Sequence, residues 1–349
     1  MIRPIHMAGV LCLFTGSLIL AEGCRKKEAV DPGPTPIVWQ KPEGFPEPLP
    51  VFKENPLTRE GFELGRTLFH DGNLAKDGKT SCASCHQSFA AFATFDHAFS
   101  HGVNDKFTTR NAPGLFNLAW YPLLHWDGGI NHLEVQPLAP ITAPNEMGET
   151  VEGLVRKLNA DPKYRDLFMK AFGDPEVTSQ RLLKALAQFM GSILSADSKY
   201  DRVMKGRETF TIAEQSGHAV FKAKCASCHR EPLFTDHSFR NTGMPVNPQL
   251  LDLGRMTVTR QSSDSAKFKV PSLRNVMLTA PYGHDGRFPS VGTVIDHYRS
   301  SVMRGPTLDP SLRNGISISN NEKSDLIQFL TTLTDTTFTK DPRFGPPGR

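Results

Sequence analysis

Cysteine is scarce in this chain, with six among 349 residues. The apolar run near the start, residues 7–21, covers only fifteen positions. As a helix it reaches about 22 Å, short of a roughly 30 Å hydrocarbon core, which excludes a spanning helix there. Charge is not concentrated either: the net charge is +4 and no basic run occurs, so nothing points to a nucleic-acid partner. The strict apolar–polar alternation of a half-buried strand is also missing, which argues against a sheet protein.

The few cysteines that are present are placed unusually. Residues 82–86 read CASCH and residues 225–229 read CASCH again, using four of the six. From this composition chance supplies roughly 0.003 copies of Cys-x-x-Cys-His per chain. Two thiols at this spacing can add across the vinyl groups of a haem while the adjacent imidazole reaches the iron. A zinc ribbon or a redox dithiol would explain a lone Cys-x-x-Cys, but neither requires a histidine directly after both pairs. The expectation is two covalently bound c-type haems, one on Cys82, Cys85 and His86, the other on Cys225, Cys228 and His229.

The start, MIRPIHMAGVLCLFTGSLILAEGC, has a basic residue, a short apolar stretch and small residues before Cys24. This pattern is read as an export signal over residues 1–23 of lipoprotein type, with a lipid on Cys24 holding the protein at a membrane on the periplasmic side of the cell envelope. Cys12 falls in the removed part, so no disulfide is expected. Residues 24–50 are rich in proline and suit an extended tether. The body then has room for two domains, set at 51–200 and 201–340, with a tail at 341–349.

The body repeats itself. GRTLF stands ahead of the first haem site and GHAVF ahead of the second, each on a stretch of helical spacing. Thr211 and Glu214 form a capping-box pattern that starts the second of these helices. PGLFNLAWYPLLHWDGG and PSLRNVMLTAPYGHDGR align without a gap, pairing Pro113 with Pro271, Asn117 with Asn275 and Asp127 with Asp285. The offset is 143 residues at the haem strings and 158 at the prolines, so the halves differ in loop length. Periodicity also predicts helices over 151–158, 179–194 and 320–333. The fold class read from this is mostly α, two c-type cytochrome domains related by internal duplication and joined near 195–206.

With two haem strings, RNAP, HWDGG, EMG, VPSLRN and APYGHDGRF in this order, the chain resembles the bacterial dihaem cytochrome c peroxidases and their MauG-like relatives. The resemblance implies a first haem that meets hydrogen peroxide and a second that relays electrons from a small soluble cytochrome c or cupredoxin. It carries Glu146 over as the active-site glutamate, Gln136 as the pocket glutamine and Trp126 as the residue between the haems. His101 resembles the removable distal histidine, with His97 as a nearby competitor. Where the family usually has arginine after the first glycine of HWDGG, this chain has Gly129.

At the second haem the peroxidases use a methionine ligand at the position of Tyr298, where MauG-like members have tyrosine; Met303 serves only with a shifted register. A calcium ion held by the Asn111 side chain and the Thr279 and Pro281 carbonyls is implied as well, and so is a homodimer. The preferred function is a cytochrome c peroxidase. The alternatives are a MauG-like oxidase that modifies aromatic side chains of a partner protein, toward which Tyr298 points, and a non-catalytic dihaem electron carrier, which leaves Glu146 without a role.

Overall fold

The computed structural model describes Met1 and residues 33–348. The expected signal at 1–23, Cys24 and the tether up to residue 32 lie outside the described residues.

Among the described residues eleven α-helices carry the fold: α1 (Arg59–His70), α2 (Cys82–Cys85), α3 (Leu138–Thr142), α4 (Val151–Ala160), α5 (Pro162–Phe172), α6 (Ser179–Ser192), α7 (Lys199–Met204), α8 (Ile212–Lys224), α9 (Met256–Thr259), α10 (Val291–Asp296) and α11 (Asn320–Thr331). Strand structure among the described residues is one antiparallel pair, β1 (Phe239–Arg240) with β2 (Phe268–Lys269), and scattered single bridges. The chain is therefore mainly helical. Side-chain caps set the helix starts. Thr58, Thr150 and Thr178 accept from the third residue onward, while Thr211 with Glu214 and Ser319 with Glu322 close reciprocal boxes.

Two large apolar cores form among the described residues, beside a smaller cluster of Phe45, Ala119, Trp120 and Leu233. One gathers Leu64, Leu68, Phe69, Phe92, Leu186 and Phe189 around α1 and α6; the other gathers Val220, Phe221, Phe234, Leu326, Phe329 and Leu330 around α8 and α11. In each, a glycine lets the helices meet. A Cβ on Gly65 would collide with the Ala185 carbonyl oxygen, and one on Gly217 with the Asp325 carbonyl oxygen.

Two segments outside the expected domains, the part of the tether from residue 33 and the tail, are packed down. From residue 33 the proline-rich stretch pairs at Pro36 with Thr58, buries Phe45 against Trp120, and receives the Trp120 indole N–H at the Pro46 carbonyl, 2.9 Å away. The tail is likewise held: Arg66 donates to the carbonyls of Pro342, Gly345 and Pro346, and Phe344 is buried in the first core. In both cases aromatic side chains supply apolar area that a free segment would leave in water.

Between the cores the chain is tied by ions. Arg274 is fully buried and makes a two-pronged contact with Asp201 at 2.7 and 2.8 Å, its guanidinium lying over the Phe45 and Phe234 rings. Arg110 grips Asp252 at 2.6 and 2.8 Å and Asp127 at 2.6 Å.

Candidate haem and peroxide site

One continuous cavity of about 1110 Å³ reaches both Cys-x-x-Cys-His strings. This exceeds the roughly 300–1,000 Å³ of a pocket for one small molecule. It has room for groups larger than a single metabolite.

At the first string, α2 carries Cys82 and Cys85 into the cavity wall and ends at His86. The chain then turns back through Ala91 and Phe92, both in the left-handed region, so that the Phe92 carbonyl lies 2.7 Å from His86 Nδ1. Pro113 adds a second backbone contact to the same ring. An Nδ1–H donated to a carbonyl leaves the Nε2 lone pair free, the state an iron ligand needs. Burial takes the His86 pKa down to about 4, so the ring is neutral.

The second string repeats the arrangement. His229 Nδ1 is 3.1 Å from the Phe234 carbonyl, Pro271 stands where Pro113 stood, and burial again lowers the ring's pKa. Cys225 closes α8, and burial pushes both Cys82 and Cys225 up to about 12. These are uncharged thiols in apolar walls, suited to becoming neutral thioethers. The donor sets and the cavity fit two covalent haems.

The open faces differ. Near the first string the cavity is lined by Glu146, Gln136, Trp126 and His125. Glu146 makes no side-chain hydrogen bond among the described residues, and burial raises its pKa above the ordinary 4.5. Its backbone is fixed by Val103 N–H and the Ala143 carbonyl, at 2.8 and 3.0 Å. Trp126 donates its indole N–H to the Asn111 carbonyl at 2.8 Å and accepts from the Lys269 N–H at 2.7 Å, joining the two halves. His101 is placed otherwise than a distal ligand requires: its ring is exposed against Phe107 and does not line the cavity, and His97 is exposed beside it.

Near the second string, α10 passes into a π-turn over His297–Ser301, a widened register that often marks a functional position. It carries Tyr298 into the cavity wall, where its hydroxyl has no hydrogen-bond partner among the described residues and burial raises its pKa. His297 instead reaches the Thr242 carbonyl at 2.9 Å. Met303 is 55% exposed and lies outside the cavity.

Asn111 donates its amide to the carbonyls of His97 and Ala98, at 3.3 and 3.2 Å, which leaves its Oδ1 available; Thr279 and Pro281 line the cavity with it. Sequence reasoning missed two cavity residues, His125 and Lys269. The Lys269 ammonium is buried over the Tyr121 ring with the Leu123 carbonyl as acceptor at 3.0 Å, and burial takes its pKa down to about 7. A buried lysine whose backbone N–H meets the Trp126 carbonyl is a signal that only the fold reveals.

A family model described as di-haem cytochrome c peroxidase matches residues 59–209. The methylamine utilization protein MauG of Methylophilus methylotrophus is 36% identical over 84% of this chain and 87% of its own length. This chain belongs to the dihaem cytochrome c peroxidase and MauG-like family. The cytochrome c551 peroxidase of Nitrosomonas europaea is 32% identical over 82% of this chain and 84% of its own. Among solved structures, a MauG-like protein associated with microbial copper homeostasis superposes with a TM-score of 0.81 at 33% identity, over 90% of this chain and all of that one. As a member of this family the protein is a haem-dependent oxidoreductase acting on peroxide, with two haem cofactors. No helix among the described residues is long and apolar enough to cross a membrane.

Proposed function

We propose that the protein reduces hydrogen peroxide to water at the haem on Cys82, Cys85 and His86, drawing electrons through the haem on Cys225, Cys228 and His229 from a small soluble cytochrome c or cupredoxin. The observation that carries this reading is Glu146: a carboxyl without hydrogen bonds, in the wall of the cavity that holds His86, with Gln136 beside it. When bound, the haem supplies the iron that takes peroxide and the electrons that cleave it. The protein supplies the proton path. Glu146 accepts a proton from the peroxide oxygen that stays and gives it to the oxygen that leaves, a transfer for which a raised carboxyl pKa is suited. Gln136 holds the peroxide by hydrogen bonding, and Trp126 lies where an electron passes between the halves. Lys269, held over Tyr121 in the cavity wall, would be the buried cation available to a haem carboxylate.

Tyr298 supports the second reading. A phenolate stabilises ferric and higher iron better than a thioether does, which favours MauG-like storage of oxidising equivalents for aromatic side chains of a partner. Rapid mixing of the fully ferric protein with peroxide separates the two. A high-valent spectrum formed at once favours the MauG-like route; reaction only after one haem is reduced favours the peroxidase.

The wider reading includes a peroxidatic domain at 51–200 and an electron-transfer domain at 201–340, arisen by duplication. Its support is the repeated carbonyl clamp on His86 and His229 and the paired left-handed Asn117 and Asn275, each opening a 3₁₀ turn. It also includes a calcium ion on Asn111, Thr279 and Pro281, His101 as a ligand that would have to swing inward, a homodimer, and a lipid on Cys24 at the periplasmic side of the envelope.

A further inference from the structure

We propose that His125 is a second proton-handling residue of the peroxide pocket, working beside Glu146 in contact with Gln136. The proposal deepens the peroxidase reading and rests on it.

The turn that carries His125 is pinned on both sides. Leu124 N–H donates to the Ile130 carbonyl at 2.7 Å, and the Trp126 indole is held by Asn111. His125 itself has a φ of 66°, in the left-handed region where histidine, like asparagine and aspartate, is found more often than most residues with a side chain. Its ring faces the cavity lined by His86, Gln136 and Glu146, and its Nε2 lies 3.3 Å from Gln136 Nε2. Two nitrogens at that distance require the ring to accept from the amide, or the amide to turn its oxygen toward the ring. In either case the imidazole and the pocket glutamine act as one hydrogen-bonded unit.

The charged groups around the ring come from several elements: Asp127 on its own turn, Lys269 on β2, Arg110 on the preceding loop and His86 across the cavity. Burial lowers the ring's pKa; Asp127 opposes that, while Lys269 and Arg110 add to it. The ring is therefore a neutral acceptor at pH 7. Glu146, in the wall of the same cavity, is shifted the other way by burial. Peroxide entering as its conjugate base leaves one proton on the imidazole. Cleavage of the oxygen–oxygen bond releases a hydroxide, which takes that proton and leaves as water. The remaining oxygen takes two protons from solvent and two electrons from the donor, so that one peroxide, two protons and two electrons become two waters.

The test uses the ferric holoprotein and hydrogen cyanide, which binds ferric haem as the anion and must give its proton to a pocket base. Its binding rate reports the acceptor without turnover. In His125→Phe, cyanide binding and the single-turnover peroxide reaction should both slow by roughly tenfold to a hundredfold, with two haems and the resting spectrum unchanged. His125→Gln keeps a hydrogen bond to Gln136 but cannot titrate. It should slow both reactions to a similar extent and flatten the pH dependence, which a merely positioning role would leave intact. Wild-type cyanide rates and pH profiles in both variants would overturn the proposal. So would a changed resting ferric spectrum in both, which would make His125 an iron ligand. If wild type is inert to peroxide, the peroxidase reading falls, and the cyanide rates still decide the role of His125.

Discussion

Replacing Glu146 with glutamine isolates the proton chemistry. The carboxyl makes no side-chain hydrogen bond among the described residues, so an isosteric amide breaks no contact and the backbone clamp at Val103 and Ala143 is untouched. What disappears is the ability to take up and return a proton. Groups in this role contribute about 10²–10⁴ in rate, equivalent to roughly 3–5 kcal/mol in the barrier. Glu146→Gln should therefore keep both haem spectra while the bimolecular peroxide rate, followed by rapid-mixing absorbance, falls by at least about a hundredfold.

The pH dependence gives the same prediction an independent sign. Wild type should gain rate as the carboxyl ionises, with a midpoint above the ordinary 4.5 because burial disfavours the anion. Stability runs the other way. A carboxyl whose folded pKa is raised binds its proton more tightly in the folded state, so its contribution is full below the unfolded value and lost as pH rises through the folded value. The glutamine variant should show neither change, and at neutral pH it should unfold no earlier than wild type. A wild-type peroxide rate in the variant would remove Glu146 from the mechanism. A lost haem or a clearly lower unfolding temperature would make it structural.

Other residues give sharper single readouts. Wild type should lack the near-infrared sulfur-to-iron charge-transfer band, and Tyr298→Met should create it and raise that haem's potential by on the order of 100 mV, within the roughly 0.8 V that axial ligands span. Met303→Leu should change neither; a wild-type sulfur band that vanishes in this variant would refute the ligand assignment. Cys225→Ala should retain one full equivalent of acid-stable covalent haem, with two equivalents counting against the second site. Arg274→Met should cost about 3–5 kcal/mol in denaturant unfolding, because it strands a buried carboxylate. Burial alone would raise Asp201, but Arg274 and Ser198 hold it below the ordinary range. The stability it contributes is present above the unfolded value of 3.8 and is lost as pH falls through the folded value; that acid-sensitive contribution should disappear in the variant.

What the sequence displayed was chemistry and local periodicity. The CASCH strings named their own ligands, and the helices at 151–160, 179–192, 212–224 and 320–331 follow apolar spacing with threonine or serine caps written in plain view. What it hid depended on distant partners. Nothing around Phe45 announces that Trp120 and Arg274 will receive it, and proline content alone argues for an extended strap without saying whether the strap is bound. The same holds for the tail, whose Phe344 finds a core begun some 280 positions earlier at Phe62. The string around His101 does not show that its ring lies exposed beside Phe107, with which it forms a single bridge. His125 and Lys269 escaped for the converse reason: each is unremarked in its string and acquires meaning only from the wall it lines.

The two haem sites show how one frame yields two chemistries. On the closed face they are nearly interchangeable, each ring held through Nδ1 by a carbonyl five or six residues onward and by the proline of the aligned block. That half of the design fixes a neutral imidazole and says nothing about reactivity. The difference is built on the other face. The end of the first aligned block brings an imidazole, and the loops after it bring an amide and a carboxyl, all able to exchange protons or hydrogen bonds with a small oxygen ligand. After the second block a helix loosened by a π-turn brings a phenol whose hydroxyl has no competing partner among the described residues. Even the aligned pair Trp126 and His284 diverges: the first is tied by backbone to the opposite half, while the second is stacked on Phe268 at 3.7 Å between ring centres. On the proposed reading, a site rich in mobile protons suits peroxide cleavage, and a site that a phenol would close suits holding or passing charge. Exchanging Glu146 or Tyr298 should therefore alter one haem's behaviour and leave the other's spectrum in place, because neither residue belongs to the shared clamp.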